Sequence, residues 1–252
     1  MRIVRFRAAG KTRYGVIEGS RIIEYAGTPY GAFQKGRKRY PLRQVVLLVP
    51  VVPSKIVAVG LNYREHAEEM NQPVPPEPIL FLKALSSVCG PDDPIVCPPQ
   101  SARVDYEAEL AIVIKKRCRR ISAERARDYV LGYTCLNDVT ARDLLAWDGQ
   151  WSRAKGFDSF CPVGPCIATD IDPRGVDVEA YLNGERKQAS NTKHLIFPVE
   201  DILARISEVM TLMPGDVVAT GTPAGVGPMQ PGDKVEVRIE GIGSLVNPVI
   251  RM

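Results

Sequence analysis

Aromatic residues make up only 7% of this 252-residue chain. That scarcity argues against a nucleic-acid surface, which pairs a basic stripe with stacking rings. The charge argues the same way: 33 basic residues against 29 acidic leave a formal +4, and the basic ones are dispersed. The densest run, Lys115 to Arg120, falls where a strand pattern stops and reads as a solvated strand end. No apolar run approaches the roughly 20 residues of a membrane-spanning helix, so no membrane partner is expected. The first fifteen residues lack the apolar stretch of a secretory leader. Six cysteines occur without a CxxC pair. Cys161 and Cys166 have the look of a zinc half-site, but no second pair and no nearby histidine completes it. The expectation is therefore a cytoplasmic protein with free, mostly buried thiols.

What the chain does have is turns and short strands. Its 21 Pro and 21 Gly punctuate runs of alternating or clustered apolar residues. Residues 1–52 read as a small β-rich module, with "RIVRFRAAG", "TRYGVIEGSRIIEY" and "QVVLLVP" as its strands. A Pro-bounded step, Pro50 to Pro53, marks the boundary to a second unit, 53–252. That unit carries at least six strand-like runs, and Asn183-Gly184 between two of them signals a tight hairpin. Two helices are expected, "SAERARDYV" from a Ser122 cap and "PVEDILARISEVMTL" from its apolar spacing. The fold class is mainly β with a few helices (α+β).

Candidate chemistry starts at "VDYEAELAIVIKK", where Asp105, Glu107 and Glu109 run into a buried strand pattern. In a strand, residues two apart share a face, about 6–7 Å from each other. Neighbouring buried carboxylates repel and are costly unless paired, and a hard divalent cation removes the difficulty. The same pattern also fits a solvated strand start whose acids pair with Arg103 or Lys115. Other polar residues sit at similar places. Asp138 ends the apolar run "YVLGYTCLN", and Lys83 ends "PILFLK". Lys155 lies in an aromatic-flanked segment expected to be a loop. His66, one of two histidines, is followed three residues later by Glu69, the spacing of a base and its orienting acid on one helical turn. "TGTPAGVG" is a Gly-rich loop that suits an anion but is neither a Walker loop nor a dinucleotide fingerprint.

Taken in order, "KIVAVGLNYREHAEEM", "PILFLK", "DYEAELAIVI", "LGYTCLNDVTARD", "AKGFDSFCPVGP" and "GDVVATGTPAGVGPM" resemble the fumarylacetoacetate hydrolase family. The first fifty residues resemble the accessory domain of many bacterial members. The resemblance implies a mixed β-roll or sandwich, usually a homodimer. It implies Mg²⁺ or Mn²⁺ held by Glu107, Glu109 and Asp138, with Asp105 outside that trio. It implies a His66–Glu69 base dyad on a lid, with a mobile Pro73–Pro78 connection behind it. Lys155 would stabilise substrate oxygens and Thr222 would contact the substrate carboxylate. Arg142 and Gln150 are further candidates near the site, and Lys83 lies in a matching motif with its role open. The substrate implied is a small anionic 2-oxo acid. The reaction implied is metal-dependent C–C hydrolysis of a 2,4-dioxo acid of the acylpyruvate or fumarylpyruvate type. Isomerase, tautomerase and decarboxylase outcomes use the same residues and stay open.

Overall fold

Period-two alternation dominates the chain, and strands accordingly outnumber helices in the computed structural model, which describes residues 1–251. The N-terminal meander is β1 (Arg2–Ala8), β2 (Lys11–Glu18), β3 (Arg21–Gly27) and β4 (Phe33–Pro41), followed by β5 (Val46–Leu48). Then come β6 (Ile56–Gly60), α1 (Arg64–Glu69), β7 (Ile79–Lys83), β8 (Val88–Cys89), β9 (Ile95–Cys97), β10 (Val104–Tyr106) and β11 (Ala108–Ile114). The middle of the chain supplies β12 (Val130–Asn137), β13 (Thr140–Ala141), α2 (Arg142–Asp148), α3 (Trp151–Gly156) and β14 (Cys161–Ala168). The remainder is β15 (Asp177–Leu182), β16 (Glu185–Asn191), α4 (Val199–Val209), β17 (Val217–Ala219), β18 (Gly227–Met229), β19 (Lys234–Ile239) and β20 (Gly243–Arg251).

One large open sheet runs in the order β4-β3-β2-β1-β14-β12-β11-β17-β6-β7. The N-terminal strands extend this sheet, because β1 pairs with β14 through Arg2↔Ala168 and Ile3↔Ile167. A second sheet, β16-β15-β19-β20-β9, packs on β11, β12 and β14, and a small third sheet joins β13, β10 and β18. Strand β11 is buried on both faces. Leu110, Ile112 and Ile114 enter one core with Val178 and Val237, while Ala111 and Val113 enter another with Ile56 and Val217. Two-sided burial is why "LAIVI" is an unbroken apolar run instead of an alternating one.

The Asn183-Gly184 hairpin forms as expected, with φ of +54° and +85° at its two turn residues. α4 forms as expected too, burying Ile202, Leu203 and Ile206. The helix expected after Ser122 is instead a 3₁₀ segment, Ala123–Tyr129, and Ser122 makes no capping hydrogen bond. Only Ala126 of that segment is buried, so no apolar stripe holds it to α-helical geometry. Lys155, expected in a loop, lies in α3. Strand β4 gave no apolar signal because it is basic and mostly exposed, as a sheet edge is. All six cysteines are free. No helix among the described residues is long and apolar enough to cross a membrane.

Asp216 staples the start of β6 to β17. Its carboxylate accepts from the backbone N–H groups of Ser54, Lys55 and Met213 at 2.7–3.1 Å and from Lys55 Nζ at 2.7 Å. Burial alone would raise its pKa, but Lys55 and these donors outweigh burial and depress it below the ordinary carboxylate value. Asp216→Ala should destabilise the protein by about 3–5 kcal/mol at neutral pH, measured by denaturant unfolding. Because the folded pKa is depressed, that gap should be complete above about pH 4 and shrink as the pH falls below it. A gap that stays constant from pH 7 down to acid unfolding would rule the staple out.

Candidate active site

The acidic run is not a single strand. It breaks at Glu107, where β10 joins the small sheet and β11 the large one. Glu107 therefore sits at a junction, its N–H bonded to Asn137 Oδ1 at 2.9 Å and its carbonyl to Asp138 N–H at 2.9 Å. The β11–β12 register, Ala108↔Asn137 and Glu109↔Leu136, then places Asp138 beside both glutamates. Oxygens of Glu107, Glu109 and Asp138 all lie within 4.8 Å of one another, and all three residues are buried. Asp105 is buried as well but is turned to other partners, Arg103 Nε and Arg142 Nε, each at 2.9 Å.

Three cations converge on the triad. Lys155 Nζ donates to Glu107 Oε2 at 2.9 Å and to Asp138 Oδ2 at 2.6 Å. Lys83 Nζ donates to Asp138 Oδ1 at 2.5 Å. Arg142 bridges Asp105 and Glu107 from the first turn of α2. The two glutamates therefore differ. Burial opposes the charge of Glu107, but Lys155 and Arg142 outweigh it and hold the carboxyl well below its ordinary range. Glu109 is pushed well up, by burial first and then by Asp138 and Glu107. Among the described residues it has no ion-pair partner, and its Oε2 accepts only the Gly221 N–H, at 2.6 Å. Burial likewise opposes the charge of Lys155, yet Asp138 and Glu107 keep its pKa above the ordinary value.

This donor set fits a divalent cation. The three ligands are hard oxygens, which suit such ions. Each carboxylate oxygen has a lone pair beyond the one its lysine or arginine uses. Glu109, disfavoured as an anion where it stands, is the member an added positive charge would relieve.

His66 and Glu69 face the triad from α1. His66 Nδ1 lies 2.8 Å from Glu69 Oε2, and Glu69 Oε1 accepts the Gly225 N–H at 2.9 Å. A carboxylate accepts from Nδ1, so the neutral tautomer this pairing favours carries its hydrogen on Nδ1 and leaves the lone pair on Nε2. His66 is buried and lines a cavity of roughly 290 Å³ together with the triad, Arg142, Lys155 and Thr222.

The cavity does not collect every candidate. Gln150 is exposed at the N-cap of α3 and lies outside the lining, because α3 starts there and carries Lys155 inward instead. Lys83 is buried outside the lining, where it holds Asp138. Two residues without any sequence signal shape the site. Buried Gln188 donates to Thr222 Oγ1 at 2.8 Å and accepts the Ala108 N–H at 2.9 Å, tying the Gly-rich loop to β11. Asn62 bonds the Thr220 carbonyl at 2.7 Å, and a Cβ on Gly221 would lie 2.7 Å from the Asn62 side chain. Gly221, at φ +97°, is thus the residue that the close approach to Asn62 requires. Lone amides in polar loops have no periodicity to betray them.

The family profile described as fumarylacetoacetate (FAA) hydrolase C-terminal matches residues 55–250, and one described as Rv2993c-like N-terminal matches residues 1–50. The chain is 44% identical over 223 residues to the mitochondrial oxaloacetate tautomerase FAHD2B of Homo sapiens, covering 83% of this chain and 71% of that protein. The structure of a 5-carboxymethyl-2-hydroxymuconate delta-isomerase from Mycobacterium smegmatis superposes over all of both chains with a TM-score of 0.95 and 43% identity. A maleylpyruvate hydrolase from Sphingobium sp. SYK-6, solved with manganese(II) and pyruvate, aligns over 100% of this chain and 99% of its own with a TM-score of 0.82 and 34% identity. Matched by the family profile over residues 55–250 and by structures over their full length, the chain belongs to the fumarylacetoacetate hydrolase family.

Proposed function

We propose that this protein is a Mg²⁺- or Mn²⁺-dependent hydrolase that cleaves a C–C bond in 2,4-dioxo acids. The observation that carries the proposal is the His66–Glu69 pair facing a buried Glu107–Glu109–Asp138 triad across one small cavity. The triad would hold the ion, and when bound it would supply Lewis-acid polarisation of a chelated 2-oxo carboxylate. The protein residues do the rest. His66 Nε2 takes a proton from the water that attacks the distal carbonyl, and Glu69 keeps the ring in the required tautomer. The new acyl C–O bond forms as the C–C bond to the pyruvyl fragment breaks. His66 then returns its proton to that carbon, giving pyruvate and a carboxylic acid. Lys155 lies beside the triad with its ammonium fixed, so it meets negative charge developing on substrate oxygens. Thr222, oriented by Gln188, offers a hydroxyl to the substrate carboxylate.

A second reading is tautomerisation of a 2-oxo acid, favoured by the 44% identity to a relative named oxaloacetate tautomerase. It uses the same base to move a proton without cleavage. Incubating the protein with Mg²⁺ or Mn²⁺ and an acylpyruvate separates the two. Pyruvate plus an acid is expected, whereas a tautomer of unchanged mass would select the second reading.

Two variants test the assignment. His66→Ala should lower kcat by roughly 10²–10⁴-fold while leaving metal affinity by calorimetry near wild type; unchanged turnover would remove His66 from the reaction. Glu109→Gln and Asp138→Ala should both abolish metal binding, but with opposite effects on the metal-free fold. Glu109→Gln removes an anion crowded by other acids, so its thermal midpoint should hold or rise. Asp138→Ala strands Lys83 and Lys155, so its midpoint should drop clearly. Equal midpoints for the two variants would contradict the charge arrangement described above.

A further inference from the structure

The cavity is chemically lopsided. The triad, Lys155, His66 and Thr222 make one part of it polar. Elsewhere the wall is Ile79, Phe81, Met70, Leu145 and Trp151, drawn from β7, the end of α1, α2 and α3. The apolar wall begins directly beside the polar part, since Lys155 Nζ lies 4.9 Å from the centre of the Phe81 ring. It is also a fixed wall. Phe81 and Trp151 meet edge to face with centroids 4.9 Å apart. The indole fills the space over Gly60, where an added Cβ would lie 2.5 Å from it.

Both cations in the lining already pair with the buried acids. The two that face the cavity, Arg142 and Lys155, are each bonded to two carboxylates, Arg142 to Asp105 and Glu107, Lys155 to Glu107 and Asp138. The remaining polar group in the lining is Gln72, which is uncharged. A carboxylate placed against the apolar wall would give up much of its water and meet no unpaired cation in exchange. A methyl or methylene there is favoured, because it leaves water for apolar surface. The cavity volume, roughly 290 Å³, lies at the small end for ligand sites and limits the tail to a few carbons.

We infer that this site selects 2-oxo monocarboxylates with a short, uncharged, apolar far end and rejects 2-oxo dicarboxylates, with Ile79, Met70 and Leu145 setting the preference. The inference rests on the proposed reading of the cavity as a 2-oxo-acid site and names the part of the substrate which that reading leaves open. It sets the chain apart from relatives named for maleylpyruvate and oxaloacetate, both of which are dicarboxylates.

Binding tests it without relying on turnover. The full chain, loaded with Mg²⁺, is titrated calorimetrically with 2-oxohexanoate and with 2-oxoadipate, which differ only in a terminal methyl against a terminal carboxylate. The expected result is a Kd for 2-oxohexanoate at least roughly tenfold lower, a difference of about 1.4 kcal/mol. Leu145→Arg, at a half-buried position that accepts a longer side chain, should narrow or reverse that ratio by strengthening 2-oxoadipate binding. Equal or tighter binding of 2-oxoadipate to the wild type overturns the inference while leaving the 2-oxo-acid reading intact. Failure of both acids to bind overturns the two together. Preference for 2-oxohexanoate without turnover of any acylpyruvate upholds the inference and refutes only the hydrolase.

Discussion

Four carboxylates buried at one sheet junction are the constraint to which the rest of the site is fitted. Asp105, Glu107, Glu109 and Asp138 are all at most 4% exposed. Carboxylates so placed are tolerable only if cations reach them. Arg103, Arg142, Lys83 and Lys155 do so, and each is delivered by a different stretch of chain. The delivery explains pieces of structure that packing does not. Helix α2 fully buries none of its residues, and only half-buried Leu144 and Leu145 pack on the core. It is held at its first turn, where Arg142 grips Asp105 and Glu107 and Asp143 accepts from Ser101 and Ala102. Helix α3 is likewise anchored by Lys155, whose ammonium is the link between Glu107 and Asp138.

The balance of four acids against four cations is uneven in space, and that matters chemically. Glu107 has two cations, Asp138 two and Asp105 two, whereas Glu109 has a single backbone N–H. The triad is thus neither a closed salt-bridge network nor a bare acidic patch. It is a rigid set of oxygens with one anion left under-compensated, which is what an added divalent ion completes. The Gly-rich loop serves that anion directly: Gly221, whose missing Cβ lets the loop lie against Asn62, gives Glu109 its N–H.

How much of this was legible in the sequence depended on whether an element announces itself by period. Buried strands such as β6 and β11, the Asn183-Gly184 hairpin and α4 were readable because burial writes apolar runs, turns and stripes into the residues. Helices α2 and α3, at seven and six residues, are too short to show a helical period, so Lys155 was misplaced in a loop. The triad was named only through motifs taken in order, since alternation alone made Asp105 the equal of Glu107 and Glu109. What separates them is the break at Glu107, which turns β10 into a different sheet and hands Asp105 to two arginines. Gln150 stands exposed at the N-cap of α3, outside the cavity lining, for the related reason that a short helix starts there.

The acids and the base belong to different kinds of structure. The triad rides on strands buried on both sides and locked by register. His66 and Glu69 ride on a six-residue helix, with residues 72–78 outside any helix or strand behind it. That helix is tied across the cavity by few contacts: Glu69 to the Gly225 N–H, Glu65 to Ser190 and His194, and the Tyr63–Leu195 bridge. A frame that fixes oxygens cannot by itself decide whether a proton or a water is delivered, because that depends on where the base stands and what the wall admits. Relatives sharing this fold carry the names hydrolase, isomerase and tautomerase. Such a division fits a family in which the sheet holds the constant part of the chemistry, while a short, lightly held helix and the wall facing it set the outcome.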